Sequence, residues 1–129
     1  MDVSETLKAL GDETRLRILN LLFGRELCVC LIKEALGLMQ PNVSKHLARL
    51  KASGIISCRK ISQWCFFRIS EEFKDKCAAL CEFLHSEWAA KRIYTEDIKR
   101  LEILMKNNDC CEELIEKAKR SDIAVIERR

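Results

Sequence analysis

The spacing of apolar residues between positions 26 and 69 changes once, from a helical to an extended pattern, and this change limits the fold. Residues 26–36 and 41–53 have helical spacing and are separated by a short linker between Gly37 and Pro41. Glycine readily ends a helix, and proline is accepted in a first helical turn because no N–H is needed there. Residues 55–69 are mostly β-branched or aromatic, with a polar break near the middle, which predicts a β-hairpin. The pattern is therefore two helices joined by a short turn and followed by a hairpin.

Helical spacing also flanks this unit on both sides. Residues 12–23 predict a helix, and a shorter helix precedes it. Residues 71–88 carry an apolar stripe about 24 Å long, which predicts one helix whose apolar face needs a partner, most simply a second copy of the chain. Helical spacing returns over residues 98–105. We therefore predict a mainly α fold with a small β-hairpin, with residues 1–92 as one domain and residues 93–129 as a helical C-terminal extension.

The charges are distributed unevenly along the chain. Residues 35–70 contain six basic residues and no Asp or Glu, whereas the rest of the chain contains 17 basic and 20 acidic residues. The net charge of +3 thus combines a segment at +6 with a remainder at −3. An acid-free basic segment is typical of a surface that binds nucleic acid, although charge alone is equally compatible with a solvated surface. Its coincidence with the two helices and the hairpin favours nucleic-acid binding.

The second helix of the unit has the polar residues that reading DNA requires. A helix in the major groove offers side chains to base edges, where Asn and Gln pair with adenine and Arg with guanine, while Lys and Ser contact phosphate. The predicted DNA-binding residues are Gln40, Asn42, Ser44, Lys45, His46 and Arg49 on this helix, and Arg59, Lys60 and Gln63 near the hairpin tip. Two alternatives stay open: His46 as a packing residue and Arg49 as an ordinary solvated charge.

Four motifs resemble the ArsR/SmtB family of winged-helix repressors. They are LGDETRLRILNLL (residues 10–22), ELCVC (26–30), QPNVSKHLARLKASGII (40–56) and QWCFFRI (63–69). The resemblance covers about residues 5–90. It implies a winged helix-turn-helix, a homodimer joined through the N-terminal and post-wing helices, and operator DNA that is bound until an inducer ion releases it. Met39 stands where the family usually has a Ser or Thr cap before the recognition helix.

The chain contains eight cysteines, and the redox environment decides whether they form disulfides or stay as thiols. The chain does not begin with a secretory signal and has no run of about 18 apolar residues, which predicts a cytoplasmic location, no membrane partner and reduced thiols. In the arsenic-responsive branch of the family, the resemblance implies that the ELCVC motif binds trivalent arsenic or antimony through three thiols. Cys28 and Cys30 match two of them, and Lys33 stands at the third position. In a continuous helix two residues that are two positions apart point about 200° apart, so the helix would have to unwind for both sulfurs to share one ion.

Cys110 and Cys111 are the candidates for the missing ligand. They follow Asp109, a predicted N-cap, and the positive end of a helix dipole favours thiolate over thiol. Thiolates select soft ions, so the predicted inducer is trivalent arsenic or antimony, with cadmium, lead or zinc as second choices. An exposed pair without a function is the alternative.

The remaining thiols are more simply explained by packing. Cys77, Cys81 and His85 lie at helical spacing and could bind a metal along one helix face, but packing at a dimer interface is the favoured explanation. Cys58 and Cys65 would lie opposite each other if the hairpin turned at residues 61 and 62. A reduced cytosol favours packing over a disulfide there.

The sequence as a whole predicts a metal(loid)-responsive transcriptional repressor that binds operator DNA as a homodimer. An enzyme is not predicted, because the chain has no Cys-x-x-Cys motif, no βαβ pattern and only two histidines. A thiol-based redox or persulfide-sensing repressor of the same fold is the first alternative. An interaction module that does not bind DNA is the second.

Overall fold

The computed structural model describes residues 1–107 of the chain. The described elements are α1 (Val3–Leu10), α2 (Glu13–Leu22), β1 (Leu27–Cys28), α3 (Val29–Leu36), α4 (Gln40–Ala52), β2 (Ile56–Ile61), β3 (Trp64–Ile69), α5 (Glu71–Lys76), α6 (Ala78–Ala90) and α7 (Arg92–Asn107). The three strands form one antiparallel sheet in the order β1-β3-β2. The predicted fold class, mainly helical with a small hairpin that serves as a wing, is confirmed.

The two N-terminal helices begin at aspartate caps. The Asp12 carboxylate accepts a hydrogen bond from the Arg15 backbone N–H at 3.0 Å, and the Asp2 carboxylate accepts one from the Ser4 N–H at 2.9 Å. A side-chain oxygen at this position satisfies an N–H that has no partner within the helix. Both helices predicted from the sequence are therefore present with a recognisable start.

The helix-turn-helix consists of α3, a short linker and α4. Gly37 ends α3 in the left-handed conformation, with φ at 70°, and its N–H donates to the Lys33 carbonyl at 2.9 Å. A side chain at this φ would be strained, which explains the glycine. Pro41 lies in the first turn of α4, and the Met39 cap position makes no side-chain hydrogen bond. Helices α3 and α4 then pack against each other as predicted.

The wing is the hairpin of β2 and β3, and its register differs by one position from the register considered in the sequence. The loop consists of Ser62 and Gln63, and Ser62 has a φ of 60°. Cys58 therefore lies opposite Phe67. Cys58 and Cys65 are diagonal neighbours, not opposite ones, because the turn lies one residue later than positions 61 and 62.

A third strand precedes the helix-turn-helix, and the sequence pattern did not predict it. Cys28 pairs with Phe66 across β1 and β3, and its backbone is extended, with φ at −83° and ψ at 163°. Helix α3 therefore begins at Val29 and not near Glu26. The expectation of a continuous helix through Cys28 and Cys30 is wrong, because pairing with a strand distant in sequence competes with local helical propensity.

The segment after the wing is two helices and not one. Cys77, with φ at −118° and ψ at 37°, separates α5 from α6. Trp88 is the buried residue of α6, whereas Phe83 is 59% exposed. Phe83 therefore gives α6 an apolar surface that the described residues of this chain do not cover.

Helix α7 packs against α2 and α3. Asp97 has no exposed surface, and its carboxylate accepts hydrogen bonds from the Arg17 guanidinium at 2.8 and 2.9 Å. The Asn20 side-chain amide donates to the Tyr94 carbonyl at 3.0 Å. The segment 92–107, at the start of the predicted extension, is thus tied to the helices that precede the wing.

One apolar core joins these elements. Ile18, Leu31, Leu50, Phe66 and Leu101 are each less than 2% exposed, and they come from five different elements. Within residues 1–107, none of the helices combines the length and the apolar character that crossing a membrane would need.

Candidate nucleic-acid interface and thiol site

The exposed side of α4 carries four of the predicted DNA-binding residues. Gln40, Ser44 and Lys45 are exposed and Asn42 is half-buried, whereas Val43 on the opposite side is fully buried. The apolar residues of α4 dock the helix onto the core, and the polar ones are left on its outer surface. No acidic residue lies on α4. This surface is available to a polyanion.

His46 lies on the packed side of the same helix. It is 9% exposed, and its Nδ1 is 3.2 Å from Nη1 of Arg15 and 3.8 Å from a carboxylate oxygen of Asp12. Burial lowers the pKa of His46, and the positive charges of Arg15 and Lys45 lower it further, while Asp12 opposes them. The ring therefore joins α4 to the start of α2, which agrees with the alternative that His46 is a packing residue.

Arg49 makes contacts within the protein. Its guanidinium forms an ion pair with the Glu5 carboxylate and donates to the Ser53 hydroxyl at 2.6 Å. Because Glu5 belongs to α1, the pair links the N-terminal helix to the C-terminal half of α4. Arg49 is thus not an unpartnered solvated charge. To contact a base, its side chain would first have to leave Glu5.

The predicted residues of the wing divide into a paired one and two exposed ones. Arg59 donates to the two carboxylate oxygens of Glu26 at 2.9 and 2.7 Å, and this hydrogen bonding raises the pKa of Arg59. Lys60 and Gln63 are exposed near the tip. The tip can therefore meet a phosphate or a groove, while Arg59 holds the middle of the wing to the start of β1.

Glu5 and Glu26 are residues that the sequence analysis missed. Both lie outside the acid-free segment of residues 35–70, and folding brings their carboxylates to two of its arginines. A count of charges along the chain cannot show this. The only signal was that Glu26 opens the ELCVC motif.

Cys28 and Cys30 lie where the sheet passes into the helix-turn-helix. Cys28 is 2% exposed at the end of β1, and Cys30 is half-buried in the first turn of α3. Because Cys28 is extended, the opposed orientation expected for two residues of one helix does not apply. The two residues therefore belong to adjacent elements, Cys28 to β1 and Cys30 to α3.

The other candidate metal ligands form two groups, the pair Cys110 and Cys111 and the set Cys77, Cys81 and His85. Cys110 and Cys111 lie outside the described residues. His85 stacks on Phe23, with ring centroids 4.3 Å apart, and burial raises the pKa of the Cys81 thiol. Among residues 1–107, no group of three or more His, Cys, Asp or Glu side chains is arranged to hold a metal ion, so the Cys77, Cys81 and His85 site finds no support.

The fold and the surface on α4 are those of a winged helix-turn-helix protein. Residues 12–57 match the model of the bacterial regulatory protein arsR family. A solved structure from Mycobacterium bovis, a homodimeric winged helix-turn-helix DNA-binding domain, is similar with a TM-score of 0.58 and 32% identity, covering 66% of this chain and 79% of that one.

Two curated relatives extend the comparison. The arsenic resistance transcriptional regulator ArsR1 of Pseudomonas putida is 46% identical over 67 residues, which are 50% of this chain and 52% of that protein, so the match spans about half of that relative's length. An arsenical resistance operon repressor of Staphylococcus xylosus is 35% identical over 74 residues, which are 57% of this chain and 71% of that protein. The chain belongs to the ArsR family of transcriptional regulators.

Proposed function

We propose that this chain is a repressor that binds operator DNA as a homodimer and releases it when trivalent arsenic or antimony binds thiolates that include Cys28 and Cys30. The observation that carries the proposal is the position of Cys28. Its strand, β1, pairs with the wing strand β3, and the helix that follows it, α3, packs against α4. A change in the backbone at Cys28 would therefore act on the wing and on the helix-turn-helix at once.

The DNA surface would consist of the outer side of α4 and the tip of the wing. Gln40, Asn42 and Ser44 would meet base edges or phosphates, and Lys45 and Lys60 would contact the backbone. Gln63 lies in the loop of the hairpin and would reach the neighbouring groove. Arg49 and Arg59 would contribute mainly by holding α4 and the wing in place, because Glu5 and Glu26 already bind them.

The homodimer is supported by apolar residues on the surfaces of α1 and α6. Val3 is 73% exposed, Leu7 is 56% exposed and Phe83 is 59% exposed. Val3 and Leu7 lie at i and i+4 on one face of α1, and exposed apolar side chains that lie together are typical of an interaction surface. A second copy would cover them and place two α4 helices for two half-sites of one operator. Sedimentation equilibrium measures this dimer directly.

The choice of inducer follows from the chemistry of the site. Cys28 is buried, and bringing a divalent ion to it would cost hydration energy. Arsenous acid is uncharged at pH 7, and each thiol that replaces one of its hydroxyl groups releases one water. Trivalent arsenic or antimony therefore suits this position better than cadmium, lead or zinc. Cys110 and Cys111 are the proposed sources of the third thiol, within one protomer or from its partner.

The test is operator affinity as a function of arsenite. A duplex is first selected from a randomised pool, and its binding to the reduced full-length protein is followed by fluorescence anisotropy, with a phosphine reductant because dithiols bind arsenite. We expect arsenite to weaken binding by about 10- to 100-fold, the range of a typical allosteric coupling. The Cys28→Ser, Cys30→Ser variant should bind the same duplex and ignore arsenite.

The matched control is Cys77→Ser, Cys81→Ser, which also removes two thiols and should respond as the unmodified chain does. If the Cys28→Ser, Cys30→Ser variant releases DNA at the same arsenite concentration, the proposed sensor is wrong. Variants of Cys110 and Cys111 decide whether the third thiol comes from that pair.

A redox switch is the second candidate, because Cys28 and Cys30 place two sulfur atoms where β1 passes into α3. In that case a mild oxidant would weaken operator binding without arsenite, and a reductant would restore it. Mass spectrometry of the alkylated protein separates the two functions, because the redox switch leaves a reversible link at Cys30, whereas the arsenic site leaves free thiols once the ion is removed.

A further inference from the structure

The wing carries a second pair of thiols. The Sγ atoms of Cys58 on β2 and Cys65 on β3 lie 4.0 Å apart, and both thiols are free and half-buried. They share one face of the hairpin because each is two positions from the other's direct partner. We propose that Cys58 and Cys65 form a binding site for a soft monovalent cation of the copper(I) type, separate from Cys28 and Cys30.

The register argues against a structural disulfide at this place. Diagonal neighbours on a sheet face have Cα atoms about 7–8 Å apart, whereas a disulfide usually joins Cα atoms within about 4.4–6.8 Å. An ion between the sulfurs has no such requirement. Two metal–sulfur bonds of about 2.3 Å, the length found in zinc thiolates, reach up to about 4.6 Å, so sulfurs 4.0 Å apart can share one ion.

The donor set restricts the kind of ion. Within residues 1–107, no third His, Cys, Asp or Glu joins the two thiols to complete a larger cluster. Zinc requires four ligands, whereas copper(I) is stable between two soft sulfurs. Two thiols are therefore sufficient for a cation of this type and insufficient for a structural zinc.

The surroundings suit the charge of such a complex. When a monovalent cation binds, both thiols lose a proton, so the bis-thiolate complex has a charge of −1 and two protons are released. Burial and the hydrogen bond from Cys58 raise the pKa of Cys65, while Lys51 and Lys60 act in the opposite direction. The two ammonium groups would stabilise the anionic complex.

The pair also faces the helix that carries the proposed DNA surface. Both thiols line a cavity of about 330 Å³ between the wing and α4, together with Ser44, Ala48 and Lys51. The three α4 residues lie at i, i+4 and i+7, so they form one face of the helix. An ion held by the wing would lie at the junction of the two DNA-reading elements.

The experiment is a titration of the reduced full-length protein with copper(I) under anaerobic conditions, in competition with a chromophoric copper(I) chelator. We expect Cys58→Ser, Cys65→Ser to bind one ion fewer per chain than the unmodified protein. The control variant Cys77→Ser, Cys81→Ser should bind as many copper ions as the unmodified protein. The variant Cys28→Ser, Cys30→Ser should keep the ion in the wing, whether or not it has lost its response to arsenite. An unchanged stoichiometry in the wing variant would overturn the proposal.

A second measurement uses the unmodified chain and does not depend on how the variants fold. Alkylation by iodoacetamide is followed at each cysteine by peptide mass spectrometry, with and without copper(I). Cys58 and Cys65 should become protected together after one equivalent has bound to the wing. Independent labelling of the two residues, or a metal-free Cys58 to Cys65 disulfide in the reduced preparation, would contradict a shared cation site.

Discussion

Glu26 and Arg59 form a two-point ion pair between the start of β1 and the wing, with N–O distances of 2.9 and 2.7 Å. The Glu26 side chain is 6% exposed and that of Arg59 is 47% exposed. The pair holds the wing to the segment that leads into Cys28. It also neutralises a charge that the sequence alone assigns to DNA binding.

Replacing Glu26 with Gln should therefore strengthen DNA binding while leaving the fold intact. The amide keeps the shape of the side chain but frees the charge of Arg59, so one more phosphate can be neutralised. We expect severalfold tighter binding at low salt and a slope of log K against log salt that is steeper by about 0.9. Anisotropy titrations over a range of salt concentrations measure both.

Arg59→Ala is the complementary change. It leaves Glu26 without this ion pair and should destabilise the fold by about 1 kcal/mol, a modest value because Arg59 is half-exposed. A loss of DNA affinity in Glu26→Gln would show that the carboxylate positions the wing more than it competes with phosphate.

Asp97→Asn should destabilise the folded chain strongly. Asp97 is fully buried and binds Arg17 and Arg100, so its removal leaves partly buried guanidinium groups without their counter-charge. The expected loss in the free energy of unfolding is about 2–3 kcal/mol, below the upper range for buried pairs because Arg100 is half-exposed. Urea unfolding followed by circular dichroism gives the value.

The control for Asp97 is Glu96→Gln, which removes the exposed partner of Arg92 on the same helix. A surface pair of this kind contributes less than about 1 kcal/mol, so the midpoint of unfolding should barely move. Similar losses in the two variants would mean that α7 does not depend on the buried ion pair.

His46 should make the stability of the chain depend on pH. Burial lowers its pKa in the folded state below the ordinary value of 6.5. The folded state then favours neutral His46, and this contribution is fully present above pH 6.5 and is lost as the pH falls through 6.5 towards the folded-state pKa. The unmodified chain should therefore lose more stability between pH 7.5 and 5.5 than the His46→Asn variant.

Asparagine keeps a hydrogen-bond acceptor for Arg15, which reduces the structural effect of the substitution. Urea unfolding at several pH values provides the comparison. Equal pH dependence in the two proteins would show that protonation of His46 does not favour the unfolded chain.

Two substitutions on α4 should affect DNA binding in different ways. Lys45→Gln should weaken binding to all duplexes about equally and reduce the salt slope by about 1, because an exposed lysine neutralises a phosphate. Asn42→Ala should cost about 1–3 kcal/mol on the selected duplex and far less on an unrelated one, because an amide reads a base edge. Lys99→Gln, an exposed lysine on α7, is the control for charge alone.

If Asn42→Ala weakened binding to all duplexes equally, the side chain would be a phosphate contact. If Lys45→Gln changed the preferred sequence, the roles of the two residues would have to be exchanged. Binding to a panel of single-base variants of the duplex distinguishes these results.

Features that depend on local spacing could be predicted from the sequence. The helix start at Asp12, the end of α3 at Gly37 and the two-stranded wing follow from capping, backbone freedom and residue type within a few positions. The polar surface of α4 followed from the same reasoning, because the apolar face of a helix determines which residues remain outside.

Features that depend on contacts between distant residues were decided by the tertiary structure. Cys28 is extended because its partner in the sheet is Phe66, and Arg49 and Arg59 are paired because folding brings Glu5 and Glu26 to them. The position of the hairpin loop, by contrast, is a local feature that was predicted one residue too early, and the true loop at Ser62 and Gln63 makes Cys58 and Cys65 diagonal neighbours.

The sequence by itself thus determined the winged helix-turn-helix and the outward face of its second helix, since periodicity and capping act within one or two turns. Only the tertiary structure decided which cations remain available to DNA and that Cys28 lies in a strand. Ion pairs and strand pairing join residues 30 to 80 positions apart, and their partners leave no local pattern in the chain.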